Sequence, residues 1–209
     1  MKLVSLSAQD FVGKLAEGTP VPGGGSAGAL CGALGAALCS MVSNLTFGRE
    51  HFKPAWDEMK YIGEEAEALA GHYLDLVDGD AAAYQEVVAA SRLPRKTEEE
   101  RNARLEALQE ALKTAALVPL ETLRAAEKLM RLAKPAIERG NPNAVTDAGA
   151  ALHLARAAAA VAMANVRINL LSIEDENFVG KCRREINEVM ERVNLLFEEA
   201  DRHLELQLG

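Results

Sequence analysis

The chain has 209 residues, 49% of them hydrophobic but only 4% aromatic, and a net charge of −8. That length suits one domain with a sizeable core, and an apolar content made of Ala, Leu and Val favours close-packed helices over sheets. No Lys/Arg-rich run offsets the acidity, which argues against nucleic acid as a main partner.

The opening residues, MKLVSLSAQDF, are too short and too quickly polar for a signal peptide. Cys31, Cys39 and Cys182 show no CxxC spacing, which fits small buried thiols in a reducing, cytoplasmic compartment. Ser7 with Asp10 reads as a helix start, and a short amphipathic helix follows with Phe11, Val12 and Leu15. Gly18-Thr-Pro stops it. The turn Pro22–Gly25 then feeds a helix from Ala27 to Phe47, with Ser26 as its N-cap. No charged side chain stands between Glu17 and Arg49. This run is long enough to cross a bilayer. It opens with turn residues, however, is rich in Gly and Ala, and ends in Ser43-Asn44-Leu45-Thr46 without a basic cluster or aromatic belt. A helix apolar all round is then the central helix of a soluble core, and no membrane partner is expected.

Pro54 opens the next helix, which spans residues 55–91 with Met59, Ile62, Ala66, Leu69 and Tyr73 at helical spacing. Leu93-Pro94 ends it. Thr97–Glu100 is a capping box for a further helix, which Pro119 interrupts by a kink or a fresh start and Pro135 disturbs again. Gly140-Asn-Pro-Asn143 is a break. A second low-charge helix covers Thr146–Leu171. Ser172 with Asp175 forms another capping box, and the last helix reaches about Leu206 with Cys182, Ile186, Val189 and Val193 on one face. No stretch alternates with period two, and no repeat or linker divides the chain. The reading is all-α: a single multihelical domain over residues 1–209 with a buried Gly/Ala-rich central helix.

Gly24, Gly28, Gly32, Ala36, Ser40 and Asn44 recur every fourth residue and make a smooth groove. A glycine inside a helix costs about 0.5–1 kcal/mol relative to Ala, so another backbone must approach closely. It belongs either to the same chain or to a second copy, and a homodimer through the Gly24–Asn44 helix is the expectation.

Polar residues collect at the ends of the two low-charge helices, the second of which carries only Arg156 and Arg167 as charges past Asp147. The Gly23-Gly24-Gly25-Ser26 loop offers free N–H groups at a helix start, as an anion cradle or as a plain turn with an N-cap; it lacks the Lys of a Walker A loop. Asn143 and Asp147 precede and open the second helix, Asp147 being either a first-turn carboxylate favoured by the helix dipole or an acid, base or cation stabiliser. Asn165 and Asn169 share a face, where buried amides need partners. Asp78 and Asp80 form a solvated pair or a shared site with a raised pKa. The four histidines are scattered, so no metal site is expected. Ser26 and Asn44 are 18 residues apart, as are Asp147 and Asn165, which separates each pair by about 27 Å. A site therefore needs the end of one core helix beside the end of the other, from one subunit or two. Antiparallel packing brings Ser26 to Asn165 and Asn44 to Asp147; parallel packing brings Ser26 to Asp147.

The motifs VPGGGSAGALCGALGAALCSMVSNLTFG, DGDAAAY, GNPNAVTDAGAAL and NVRINLLS, in this order, resemble the cyclodeaminase/cyclohydrolase family of folate enzymes. That family includes the C-terminal half of formiminotransferase-cyclodeaminase and stand-alone methenyltetrahydrofolate cyclohydrolases. The resemblance implies a dimeric helical fold, a tetrahydrofolate substrate, no further cofactor, and chemistry at the one-carbon unit bridging N5 and N10. It implies Asp147 and Asp80 as catalytic residues. Gly23, Gly24, Gly25, Ser26, Asn44, Thr46, Asn143, Asn165 and Asn169 would bind substrate. His51 stands where relatives often carry a lysine. Cyclodeaminase activity is the first expectation and cyclohydrolase activity the second. A non-catalytic dimerisation scaffold is the third, in which the polar residues would pair with one another instead of lining a pocket.

Overall fold

A computed structural model describes residues 2–209, which form six α-helices and no strand. Helix α1 (Ala8–Ala16) starts at Ser7, whose hydroxyl accepts the Asp10 N–H at 3.1 Å, as its sequence suggests. Helix α2 (Gly24–Thr46) differs at its start. Ser26, expected as the N-cap, lies inside the first turn, and Gly23 holds the cap position with no side chain to offer. The carboxylate that serves this end comes from a neighbouring helix.

Pro54 falls in a short 3-10 turn (Glu50–Ala55), and helix α3 (Trp56–Ser91) begins after it. Helix α4 (Glu98–Arg139) opens on the expected Thr97/Glu100 capping box. It neither stops nor restarts at Pro119 or Pro135; both lie inside one 42-residue helix. Pro119 cannot donate to the carbonyl of Ala115, four residues back, and the Asn169 side-chain amide fills that vacancy at 2.6 Å. Helix α5 (Val145–Leu170) follows the Gly140 break, and helix α6 (Glu176–Leu208) closes the chain. Asp175 alone caps α6, accepting the Phe178 N–H at 3.0 Å; Ser172 stays outside the motif.

Helix α2 packs on α3 and α5, while α4 lies across α3 and α5 and carries α6. The small residues of α2 are spent within the chain. A Cβ at Gly32 would overlap the fully buried Tyr73 ring of α3, and one at Gly28 would overlap Val161 of α5. The row from Gly24 to Asn44 is therefore not a groove awaiting a second copy; it lets α3 and α5 approach. The side of α2 left open carries larger residues, with Leu34 52% and Met41 38% exposed. The neighbouring face of α5 is open as well, with Ile168 61% exposed.

Helices α2 and α5 are antiparallel. Gly24 lies beside Asn165, Gly28 beside Val161 and Gly35 beside Leu154. At the other end Thr46 meets Asn141. The Thr46 hydroxyl donates to Val42 O at 2.7 Å and accepts the Asn141 N–H at 2.9 Å, while the Asn141 amide donates to Leu45 O at 3.2 Å. Both residues are buried, so this pair staples the end of α2 to the turn before α5.

Candidate active site

Antiparallel packing puts the glycine turn and the polar end of α5 on one cavity of about 290 Å3. Gly23, Gly24 and Gly25 form one side, Asp80 and Tyr84 of α3 another, and Asn165 and Asn169 of α5 a third. Leu112 and Ala115 of α4 close the floor. The cavity is thus half apolar and half polar, the mixture that seats and orients a small heterocycle.

Asp80 is the central group. Its Oδ2 accepts the Ser26 N–H at 2.8 Å and lies 3.0 Å from the Ser26 hydroxyl. Ser26 Oγ is also 3.0 Å from Val77 O, so its single proton has two acceptors. Asp80 is thereby the cap that Gly23 lacks, supplied across the helix interface to the positive end of α2. Oδ1 accepts no hydrogen bond from the described residues. Gly25 explains the approach: a Cβ there would overlap the Asp80 carboxylate. Burial raises the Asp80 pKa above the ordinary aspartate range, and the two bonds from Ser26 pull it part of the way back. The neighbouring acid plays no part. Asp78, two residues away, turns aside and accepts the Leu3 N–H at 2.6 Å, so the two carboxylates do not share a site.

The two asparagines face the cavity with their amides already engaged. Asn165 donates to Val161 O at 2.9 Å on its own helix, and Asn169 donates to Ala115 O. Each keeps a carbonyl oxygen for another partner. Both readings of these residues therefore apply: they satisfy backbone carbonyls and they line the cavity.

The remaining expected site residues lie at the far end of α2 and α5. Asn44 and Asn143 are exposed and Asp147 is half-buried. Asp147 makes no hydrogen bond or ion pair with any described residue. It is 18 residues from Asn165 along α5, about 27 Å, so it does not reach the Asp80 cavity of its own chain. Thr46 is withdrawn from the substrate-binding set, because it is fully buried and its hydroxyl is turned inward, donating to Val42 O and accepting the Asn141 N–H. Tyr84, Leu112 and Ala115 were not foreseen as lining residues. Tyr84 closes the DGDAAAY motif, one turn after Asp80 on α3, whereas nothing in the local sequence marks Leu112 and Ala115, which only the packing of α4 brings there.

Residues 7–188 match the family described as formiminotransferase-cyclodeaminase. The chain belongs to that family. Methenyltetrahydrofolate cyclohydrolase of Methylorubrum extorquens is 37% identical over 190 residues, 91% of each chain. Formimidoyltransferase-cyclodeaminase of Rattus norvegicus is 34% identical over 99% of this chain, which spans 37% of that longer protein. The crystal structure of formiminotetrahydrofolate cyclodeaminase from Thermotoga maritima superposes with a TM-score of 0.90 at 31% identity, covering 99% of this chain and 100% of that one. The chain is thus an enzyme of the folate one-carbon cyclodeaminase/cyclohydrolase family. The scaffold reading fails also on its own terms, since Asp80, Asn165 and Asn169 line an open cavity.

Proposed function

We propose that this enzyme closes 5-formimino-tetrahydrofolate to 5,10-methenyl-tetrahydrofolate with release of ammonia. The observation that carries the reading is a protonatable, half-buried carboxylate, Asp80, on a cavity of mixed polarity in a fold shared over its whole length with a named cyclodeaminase. N10 attacks the carbon of the protonated formimino group, forming a C–N10 bond while the C=N π electrons move to nitrogen, and leaving a tetrahedral carbon that bears –NH2. The N10 proton passes to the Asp80 carboxylate and from there to the departing amine. The C–N bond to that amine breaks, the N5 lone pair completes the amidinium, and ammonia leaves. One carboxylate serves as acceptor and then donor, and its anion faces the cation formed. Its raised pKa brings the donor form closer to neutrality. Asn165 and Asn169, through their free carbonyl oxygens, and the glycine turn orient the pterin. The substrate is itself the folate, and the reading invokes no further cofactor.

The second reading, hydration and opening of the methenyl bridge, draws on the 37% identity with the Methylorubrum cyclohydrolase across nearly all of both chains. It uses the same tetrahedral carbon, with water in place of the amine. The absorbance of the methenyl chromophore separates the two. Its appearance from formimino-tetrahydrofolate supports cyclodeaminase, and its loss faster than in buffer supports cyclohydrolase. A folded protein that does neither removes both readings. A homodimer through the open sides of α2 and α5, in the cytoplasm, completes the proposal.

A further inference from the structure

Residues 2–22 form an arm that leads into the glycine turn. They comprise a 3-10 turn (Leu3–Ser5), helix α1 and the stretch 17–22, which belongs to no helix. Little packing holds the arm. Of residues 2–21 only Phe11 is buried, while Leu3, Leu6 and Leu15 are half-buried against the core. Among the described residues a single hydrogen bond ties residues 2–22 to the rest of the molecule. The Leu3 N–H donates to Asp78 Oδ1 of α3 at 2.6 Å, across 75 positions of sequence and partly out of water. The other bonds of the arm are local, such as Ser7 with Asp10 and Thr19 with the Val21 carbonyl. A backbone N–H on a carboxylate at this distance is a strong, charge-assisted bond. Where few apolar contacts hold a segment, such a tie decides how often it opens.

The tie reaches the site through Val21. Residues two apart on a helix do not face each other, so Asp78 and Asp80 leave α3 in different directions. Asp80 takes the Ser26 N–H in the first turn of α2. Asp78 takes the first N–H of the 3-10 turn, whose own cap residue, Lys2, gives it no side-chain bond. Two carboxylates of one Asp-Gly-Asp run thus serve two separate elements, and the stretch before the glycine turn connects those elements. Val21, with Pro20, lines the Asp80 cavity. Val21 also lines a second cleft, of about 270 Å3, together with Leu3 and Asp78. Pro20 is exposed and Val21 only half-buried, so this rim of the cavity has little packing of its own to fix it. Asp78 stays out of the chemistry, yet it holds the arm on which one edge of the site depends.

We propose that Asp78 is a positioning residue for the folate reaction: its bond to Leu3 keeps the arm docked, and the docked arm keeps Pro20 and Val21 at the rim of the Asp80 cavity, against the bound substrate. This rests on the folate reading above and adds what holds that edge of its site. Asp78→Ala and Leu3→Pro break the tie from opposite ends. Proline has no N–H to donate, and it is tolerated at the first position of a helical turn after an extended residue such as Lys2. Each variant should raise KM by about tenfold, as for an arm left docked a tenth of the time. Because Asp80 is held separately by Ser26, kcat should stay within about twofold. The double variant should raise KM no further than either single one, since the same bond is broken twice. Asp78→Asn keeps an oxygen for the N–H and should restore most of the affinity. Hydrogen exchange reads the arm without any substrate: in Asp78→Ala the amides of residues 3–6 and of Val21 should exchange faster, and those of α2 beyond Ser26 should not. Unmoved KM in both single variants overturns the proposal, as do additive effects in the double variant. A lowered kcat at unchanged KM overturns it too, because it would put Asp78 in the chemistry. Should Asp78→Ala fail to fold, Leu3→Pro alone carries the comparison. A wild type inactive in both folate assays brings down the folate reading and the role of Asp78 with it, whereas an active wild type with unmoved KM in the variants brings down the role of Asp78 alone.

Discussion

At the scale of single residues, the site depends on where one carboxylate sits and what holds it there. Asp80→Asn keeps an oxygen acceptor for the Ser26 N–H but cannot carry a proton. We expect turnover to fall by about 10²–10⁴ with little change in the thermal midpoint; equal losses of both would make Asp80 a purely structural cap. Ser26→Ala is more discriminating. The Ser26 hydroxyl lowers the Asp80 pKa, so its removal leaves burial less opposed and raises that pKa further. The acidic limb of the kcat/KM profile, below which the carboxylate is protonated and cannot accept, should therefore move to higher pH. An unmoved or lowered limb would assign it to another group. The same direction sets a stability trend. A carboxylate whose pKa is raised on folding stabilises the fold least when ionised, so Asp80→Asn should be relatively more favourable above the folded pKa than below it. Gly25→Ala places a methyl group on the Asp80 carboxylate and should abolish activity while Asp80→Asn does not restore packing.

At the scale of helices, the unbroken α4 shows how a local rule is overridden. Proline inside a helix removes a donor and costs about 3 kcal/mol or more when nothing compensates. Here the orphaned Ala115 carbonyl receives the Asn169 amide from α5, so the break is repaired by a partner 54 residues away. Asn169→Ala should lower stability by about 1–3 kcal/mol, the cost of a carbonyl left without a donor. In a Pro119→Ala background a backbone N–H returns to that carbonyl, and the cost of Asn169→Ala should fall below half. Denaturant midpoints of the four proteins in this cycle measure the coupling; additive effects would dismiss it. The Thr46–Asn141 staple works in the same way at the opposite end, joining α2 to the start of α5 and fixing their register. The α4–α6 ion pairs, such as Arg124 with Glu185 and Lys134 with Glu199, are exposed and contribute little beside this packing.

At the scale of the whole molecule, Leu34 lies at the centre of the open apolar surface. If the proposed homodimer forms through this surface, Leu34→Arg should leave a monomer in light scattering while helicity is retained, since the side chain already points away from its own core. A dimer that survives would move the interface elsewhere. The sequence by itself determined the class of fold, because Ala- and Leu-rich periodic runs bounded by caps and Gly/Pro breaks leave helices little alternative. It also determined that neither of the two low-charge helices can build a site alone, because a helix rises about 1.5 Å per residue and holds its ends apart. What it left open was settled by tertiary contact. The direction of α5 against α2 decided that the start of α2, at Gly24, meets Asn165, while Ser26 turns to α3, and the crossing of α3 over the glycine turn decided that Asp80, not Asp78, takes the carboxylate position. The fate of Pro119 and the inward use of the small-residue row were decided in the same way. Each depends on a partner distant in the chain, and a carbonyl, a glycine or a carboxylate carries no mark of which distant neighbour it will meet until the helices have packed.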